Sequence, residues 1–339
     1  MKRRTLAFAL ALSAVCLVGA QDGPYEVQRI AKAGGDGGFD YVYADVAGRK
    51  LYIPRLGSPG RIEVFSLDTL ERVGLIPDVR AHGVAVSVKS NHGFATSRPI
   101  AMWNATTLEP IGTIDVQGAP DGILYDPFAD RVYVFSHKPP NATVLDASDG
   151  SIAGTIDLGG APEQAVSDGL GRIYVDMEDE DRVAVIDAAA MKPLGSYSLD
   201  GRGGACAGLA LDGAHGILFV ACRKPPTMVI MDAKDGRIVS TLPIGEGTDG
   251  ASFDPATSEA FSSQADGTLT VIKESDPTSF SVEQTLRTMP GAKTMTLDAM
   301  ANRIFLISAE FGPSTVGSSS YARHGPTLPG SFSIIAVGR

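Results

Sequence analysis

Three residues, His82, Asp121 and Glu163, have types suited to one chemistry, and they recur at matching points of a repeating sequence. With Asp249 they could hold a divalent cation or pass protons as acid and base. Arg98, His137 and Arg223 could grip an anionic ligand group. Asp40 and Lys293 fall in the same phase and complete the set of candidate ligand-binding residues. The alternative is that these charges pair with one another around a hydrated channel and hold nothing. None of them is close to another in sequence, so only a repeating scaffold could bring them to one place.

That scaffold is a unit of about forty residues. Its lead residues are Asp40, His82, Asp121, Glu163, Ala207, Asp249 and Lys293, spaced by 42, 39, 42, 44, 42 and 44 residues. The third unit, DGILYDPFADRVYVFSHKPPNATVLDASDGSIAGTIDLGG, shows the grammar whole: an apolar strand, a turn, a strand carrying an aromatic, a polar loop, a Val-rich strand, an Asp-Gly turn and a fourth strand. The fifth unit repeats it, including the Lys-Pro-Pro loop. Four short strands per unit, with no segment of helical apolar spacing after residue 21, predict an all-β seven-bladed propeller of four antiparallel strands per blade.

The two ends of the chain belong to one blade in this reading. The seventh unit stops after three strands at GSFSIIAVG, and YEVQRIAKAGG near the N-terminus matches the fourth-strand pattern. Residues 25–31 are therefore expected to close the last blade, leaving no open edge. In such a ring the loops leading into first strands share one face with those joining second to third strands, which carry Arg55, Arg98, His137, Glu178, Arg223, Gln264 and Glu310. His92 and His215 sit in turns on the far face. The largest irregularity, residues 311–330, is a Gly-, Ser- and Pro-rich insertion on the channel face that could fold over the mouth, bringing His324, or be a solvated loop.

Residues 1–20 read as an export signal, with Lys2, Arg3 and Arg4, an apolar run and a small-residue cleavage site ending at Ala20. A twin-arginine reading of Arg3 and Arg4, or lipidation at Cys16, fits less of the pattern. Residues 21–339 are expected to form a single domain, periplasmic or secreted, monomeric and without a membrane span. A net charge of −10 argues against nucleic acid or anionic membrane as a partner. If Leu211 pairs with Ile217, Cys206 and Cys222 fall opposite each other, which in an exported protein favours a disulfide over two free thiols. Glycosylation triplets start at Asn104 and Asn141, and Trp103 reads as packing. No Cys-x-x-Cys-His, Gly-x-Ser-x-Gly, Gly-rich phosphate loop or His-Glu-x-x-His occurs.

The units resemble YVTN-type repeats: Arg131 to Val134 and Arg172 to Val175 read R-[VI]-Y-V, and Val183 to Asp187 reads V-x-V-I-D. With the closing PGSFSIIAVGR, the chain is similar to exported YncE-like propellers of bacteria over residues 25–339. Gly93 to Ser97 and Ala260 to Ser263 depart from the second-strand signature. The resemblance implies the fold and an exported binding or interaction module that presents its channel face to a small molecule or envelope protein, without catalysis. Related propellers include lactonases, so the alternative is a metal-assisted hydrolase or lactonase at the channel mouth. No lactonase catalytic set maps residue by residue onto this chain. A third reading is a redox accessory subunit. The one cofactor these residues suit is a divalent metal ion, with His82, Asp121, Glu163 and Asp249 as its candidate ligands.

Overall fold

In the computed structural model, residues 23–313 and 325–339 are described; the expected leader at 1–20 and His324 lie outside them. The described residues form seven four-stranded antiparallel sheets and no helix. Each sheet is one blade of a seven-bladed β-propeller. Blades 1 to 6 are continuous in sequence, with first strands at Tyr43–Asp45, Val84–Ser87, Pro120–Asp126, Pro162–Ser167, Cys206–Asp212 and Thr248–Asp254. Blade 7 takes three strands from the C-terminal end and its outermost strand, Glu26–Lys32, from the N-terminal end, paired antiparallel with Ser333–Gly338.

The middle strands are apolar on both sides because both sides are covered. Arg131–Ser136 is buried at every position after the first. The apolar clusters accordingly lie between neighbouring blades; Tyr133 and Val144 of blade 3 pack with Ile173 and Ile186 of blade 4. The second-strand tyrosine adds a repeated tie. Tyr52, Tyr133 and Tyr174 each donate to an alanine carbonyl of the following blade, at Ala105 (3.3 Å), Ala188 (3.2 Å) and Ala233 (2.9 Å). A buried hydroxyl needs such a partner, which is why the aromatic of the R-[VI]-Y-V pattern is tyrosine.

The departures from the repeat have local causes. Gly93 lies under the buried Trp103 indole, where an added Cβ would come within 2.2 Å of a ring carbon. Gly93→Ala is therefore expected to lower the melting temperature, at a cost of about 1–3 kcal/mol, as read by thermal denaturation; an unchanged melt would show that Trp103 is free to move. In blade 6, Ser262 Oγ meets Thr248 Oγ1 at 2.7 Å and Ser263 donates to the Lys293 carbonyl at 2.6 Å, so hydrogen bonds replace apolar packing.

The register of blade 5 differs from expectation. Leu211 pairs with Leu218, not Ile217, one residue out of phase with the sequence reading. An irregularity between Cys206 and Gly208 restores the phase, so that Cys206 faces Cys222 with their sulfurs 2.04 Å apart.

Candidate functional site

The lead residues meet at the mouth of the channel because the inner strands approach closely there. Gly122 follows Asp121, and a Cβ on it would lie 2.5 Å from the Glu163 carbonyl; Gly208 is similarly close to blade 6. The missing side chain lets neighbouring lead residues converge.

Four consecutive blades supply the acidic half of the mouth. His82 Nδ1 lies 2.7 Å from Asp40 Oδ2 and 3.2 Å from Asp121 Oδ1. His137 Nε2 lies 3.4 Å from Asp121 Oδ2 and 4.0 Å from Glu163 Oε2. Asp40, His82 and Asp121 thus form one group, and Asp121, His137 and Glu163 a second, each offering three ligand atoms within 4.8 Å of one another. Asp121 belongs to both. Tyr41, next to Asp40 at the start of blade 1, reaches across to blade 4 and donates to Glu163 Oε2 at 2.6 Å.

One residue beyond Glu163, the Gln164 side chain also crosses the channel. Its Oε1 accepts from the Leu209 and Ala251 amides at 3.0 and 3.1 Å, and its Nε2 donates to the Ala251 carbonyl at 3.2 Å. Gln164 thus ties blade 4 to blades 5 and 6 beside the lead residues.

The other arc is charge-paired. Asp249 contacts both Arg223 and Lys293, and Arg223 Nη1 also meets Glu178 Oε1 at 2.5 Å. Lys293 stands 3.9 Å from Asp40 Oδ1, linking the two arcs. Burial opposes the Lys293 charge, but Asp249 and Asp40 outweigh it and hold the ammonium in its charged form. Asp249 thus belongs to the paired arc rather than to the His82, Asp121 and Glu163 group, because two cations already neutralise it. Arg98 is exposed and makes no ion pair among the described residues. Arg55 is buried against Phe332 and Glu63, a packing role, and Ala207 contributes no polar atom. The base of the insertion is zipped by Phe311 and Thr327, leaving 314–324 outside the described residues.

Tyr41 and Gln164 escaped the sequence reading. Each directly follows a lead residue, a phase from which the repeat singles out no polar group.

The electrostatics follow from this division. Burial first, then the charges of Asp249 and Asp121, push the Glu163 carboxyl from 4.5 up to about 10. Burial and Asp40 raise Asp121 as well. The hydrogen bond to Asp40 holds the His82 imidazole above its usual value despite burial. A raised folded pKa stabilises the fold fully below the unfolded value, and that stabilisation is lost as pH rises through the folded one. Glu163 therefore makes the metal-free protein less stable as pH climbs from 4.5 toward about 10, by up to about 1.4 kcal/mol per pH unit; His82 acts in the same direction. Melting temperatures in chelator between pH 5 and 9 are expected to fall more steeply for wild type than for Glu163→Gln, and parallel curves would refute the assignment.

The fold is a common one. Similar solved structures include one described as the structure of U3-55K (TM-score 0.69, 11% identity, covering 94% of this chain and 99% of that one). The RRP9 WD40 repeats superpose with a TM-score of 0.71 at 11% identity, over 93% of this chain and 99% of that one. A chain of the mitotic checkpoint complex gives 0.69 at 11% identity, over 90% and 96%. The likeness is one of fold. No family model matches the chain, and no curated protein matches it significantly in sequence. No helix among the described residues is long and apolar enough to cross a membrane.

Proposed function

We propose that this chain is an exported, monomeric binding module of the YVTN-repeat, YncE-like type. Its channel mouth holds a divalent cation and, through it, an anionic small molecule or the carboxylate of an envelope protein. The observation that carries the reading is the pair of histidine and carboxylate groups sharing Asp121, with donor atoms within 4.8 Å. Imidazole with carboxylate suits ions of the Mn²⁺ to Zn²⁺ series. A cation there would also relieve the repulsion that now forces a proton onto Glu163. Export is supported by the basic and apolar leader at residues 1–20.

The test is titration of metal-stripped protein with Zn²⁺ and Mn²⁺ by calorimetry. One ion is expected at the mouth, with protons released on binding. Wild-type protein that binds neither ion below millimolar concentration would overturn the reading and leave a charge-paired channel.

A metal-assisted hydrolase is favoured by one observation: Tyr41 and Glu163 form a proton-carrying pair 4.0 Å from His137, an arrangement able to protonate a leaving group. Turnover of a lactone panel that is lost in Glu163→Gln would move the protein to that class.

A further inference from the structure

A second constellation lies on the far face, between blades 5 and 6, remote from the channel mouth. Asp212 ends the first strand of blade 5, His215 sits in the turn that follows, and Glu274 belongs to the third strand of blade 6, Thr268–Asp276. His215 Nδ1 is 2.6 Å from Asp212 Oδ2 and 2.9 Å from Glu274 Oε1. The three offer ligand atoms within 4.8 Å of one another.

Proton accounting shows that this group is incomplete. A ring nitrogen carries one hydrogen, and at Nδ1 it serves the nearer Asp212. The Glu274 side chain is 1% exposed; its Oε1 has only the His215 contact shared with Asp212, and its Oε2 accepts no hydrogen bond. A carboxylate sealed from water without a donor is unfavourable, typically by several kcal/mol, so Glu274 calls for either a proton or a cation. Protonating His215 alone still leaves one net negative charge among three side chains, which a second proton on the Glu274 carboxyl, raised by burial and by Asp212, would cancel. A divalent ion on a neutral imidazole leaves none.

The protein positions the ligands in advance. Asp212 Oδ1 accepts the turn amide of Ala214 at 2.9 Å, which turns Oδ2 toward His215. The Glu274 backbone is tied to the Ser258 carbonyl at 2.9 Å. His215, with its side chain 45% exposed, can shift outward by the roughly half an ångström or more that a tetrahedral metal at about 2.0–2.2 Å from each ligand requires.

We propose that Asp212, His215 and Glu274 form a divalent transition-metal site that ties blade 5 to blade 6. One imidazole and two carboxylates suit Mn²⁺, Co²⁺ or Zn²⁺ rather than Mg²⁺.

The test is a Co²⁺ titration followed by visible absorption, alongside Zn²⁺ titration with the His215 ring signals read by NMR. Wild type and Asp121→Asn are both expected to bind Co²⁺ at this site and to shift the His215 signals on Zn²⁺ addition. His215→Ala, a change at an exposed turn, should weaken this site at least tenfold, and Glu274→Gln, which keeps the buried shape, should do the same. Unmoved His215 signals at millimolar Zn²⁺, or Co²⁺ affinity unchanged in both variants, would overturn the proposal whatever the channel mouth binds. Loss of all metal in Asp121→Asn would overturn it too.

Discussion

Removing residues 21–33 is expected to abolish cooperative folding. The strand Glu26–Lys32 is the outer edge of blade 7, and without it Ser333–Gly338, buried at every position, becomes an open edge. The loss extends beyond one ladder. The Gln284 side chain holds both polar groups of the Tyr25 backbone, accepting from its amide at 2.9 Å and donating to its carbonyl at 2.8 Å. The Tyr25 ring meets Phe261 edge-on at 5.3 Å, and its hydroxyl donates to the fully buried Glu259 at 2.5 Å. Arg339, the last residue, also pairs with Glu259. Both ends of the chain are thus fastened to one carboxylate of blade 6. Cutting that fastening removes a ladder, an aromatic contact and the donors to a buried charge, together comparable with the roughly 5–15 kcal/mol that keeps a domain folded.

Truncated protein should show no sharp thermal transition and should be degraded rapidly by protease. Tyr25→Ala, a smaller lesion, should cost about 3–5 kcal/mol and lower the melting temperature by several degrees. A truncated protein that melts like wild type would show that the ring does not depend on this closure.

Asp121→Asn is the second large effect, and it separates a binding site from a ring of mutual charge pairs. Asp121 gives one oxygen to each histidine, His82 at 3.2 Å and His137 at 3.4 Å. If the mouth holds a cation, removing this shared ligand should weaken binding there by roughly a hundredfold or more, since even outer-sphere changes cost about 10–100-fold. The metal-free protein should be no less stable. Asp121 is itself a buried carboxylate raised by burial and Asp40, and its charge helps to force a proton onto Glu163. The amide removes that repulsion while keeping an acceptor oxygen. Calorimetric titration together with melting in chelator reads both effects. A melting temperature several degrees lower in chelator, with the same number of ions bound as in wild type, would mean that Asp121 serves the histidines structurally.

Much of this was legible because a propeller blade is a local object. Turns, strand alternation and the phase of each lead residue are set within about forty residues. The tyrosine of the second strand and the asparticacid-containing turns repeat because each copy meets the same neighbour. The repeat also put His82, Asp121 and Glu163 on one face, and it kept His215 off that face. It did not reveal Tyr41, which reaches Glu163 across 122 positions of chain, nor Gln164, which spans to blades 5 and 6.

The sequence by itself determined the number of blades, the closure of the ring by its two ends and the face shared by His82, Asp121 and Glu163. Only the tertiary structure decided which of those groups touch. Around one ring of similar positions, Asp249 is neutralised by Arg223 and Lys293, Arg98 is left in solvent, and Asp40, His82, Asp121, His137 and Glu163 are pressed together. On the other face Glu274 is sealed beside His215. The reason is physical: contacts within a blade follow from hydrogen-bonded register, whereas contacts between blades depend on how closely the inner strands approach after the ring has closed. A missing side chain at Gly122 or a one-residue shift beside Cys206 changes that approach without changing the repeat.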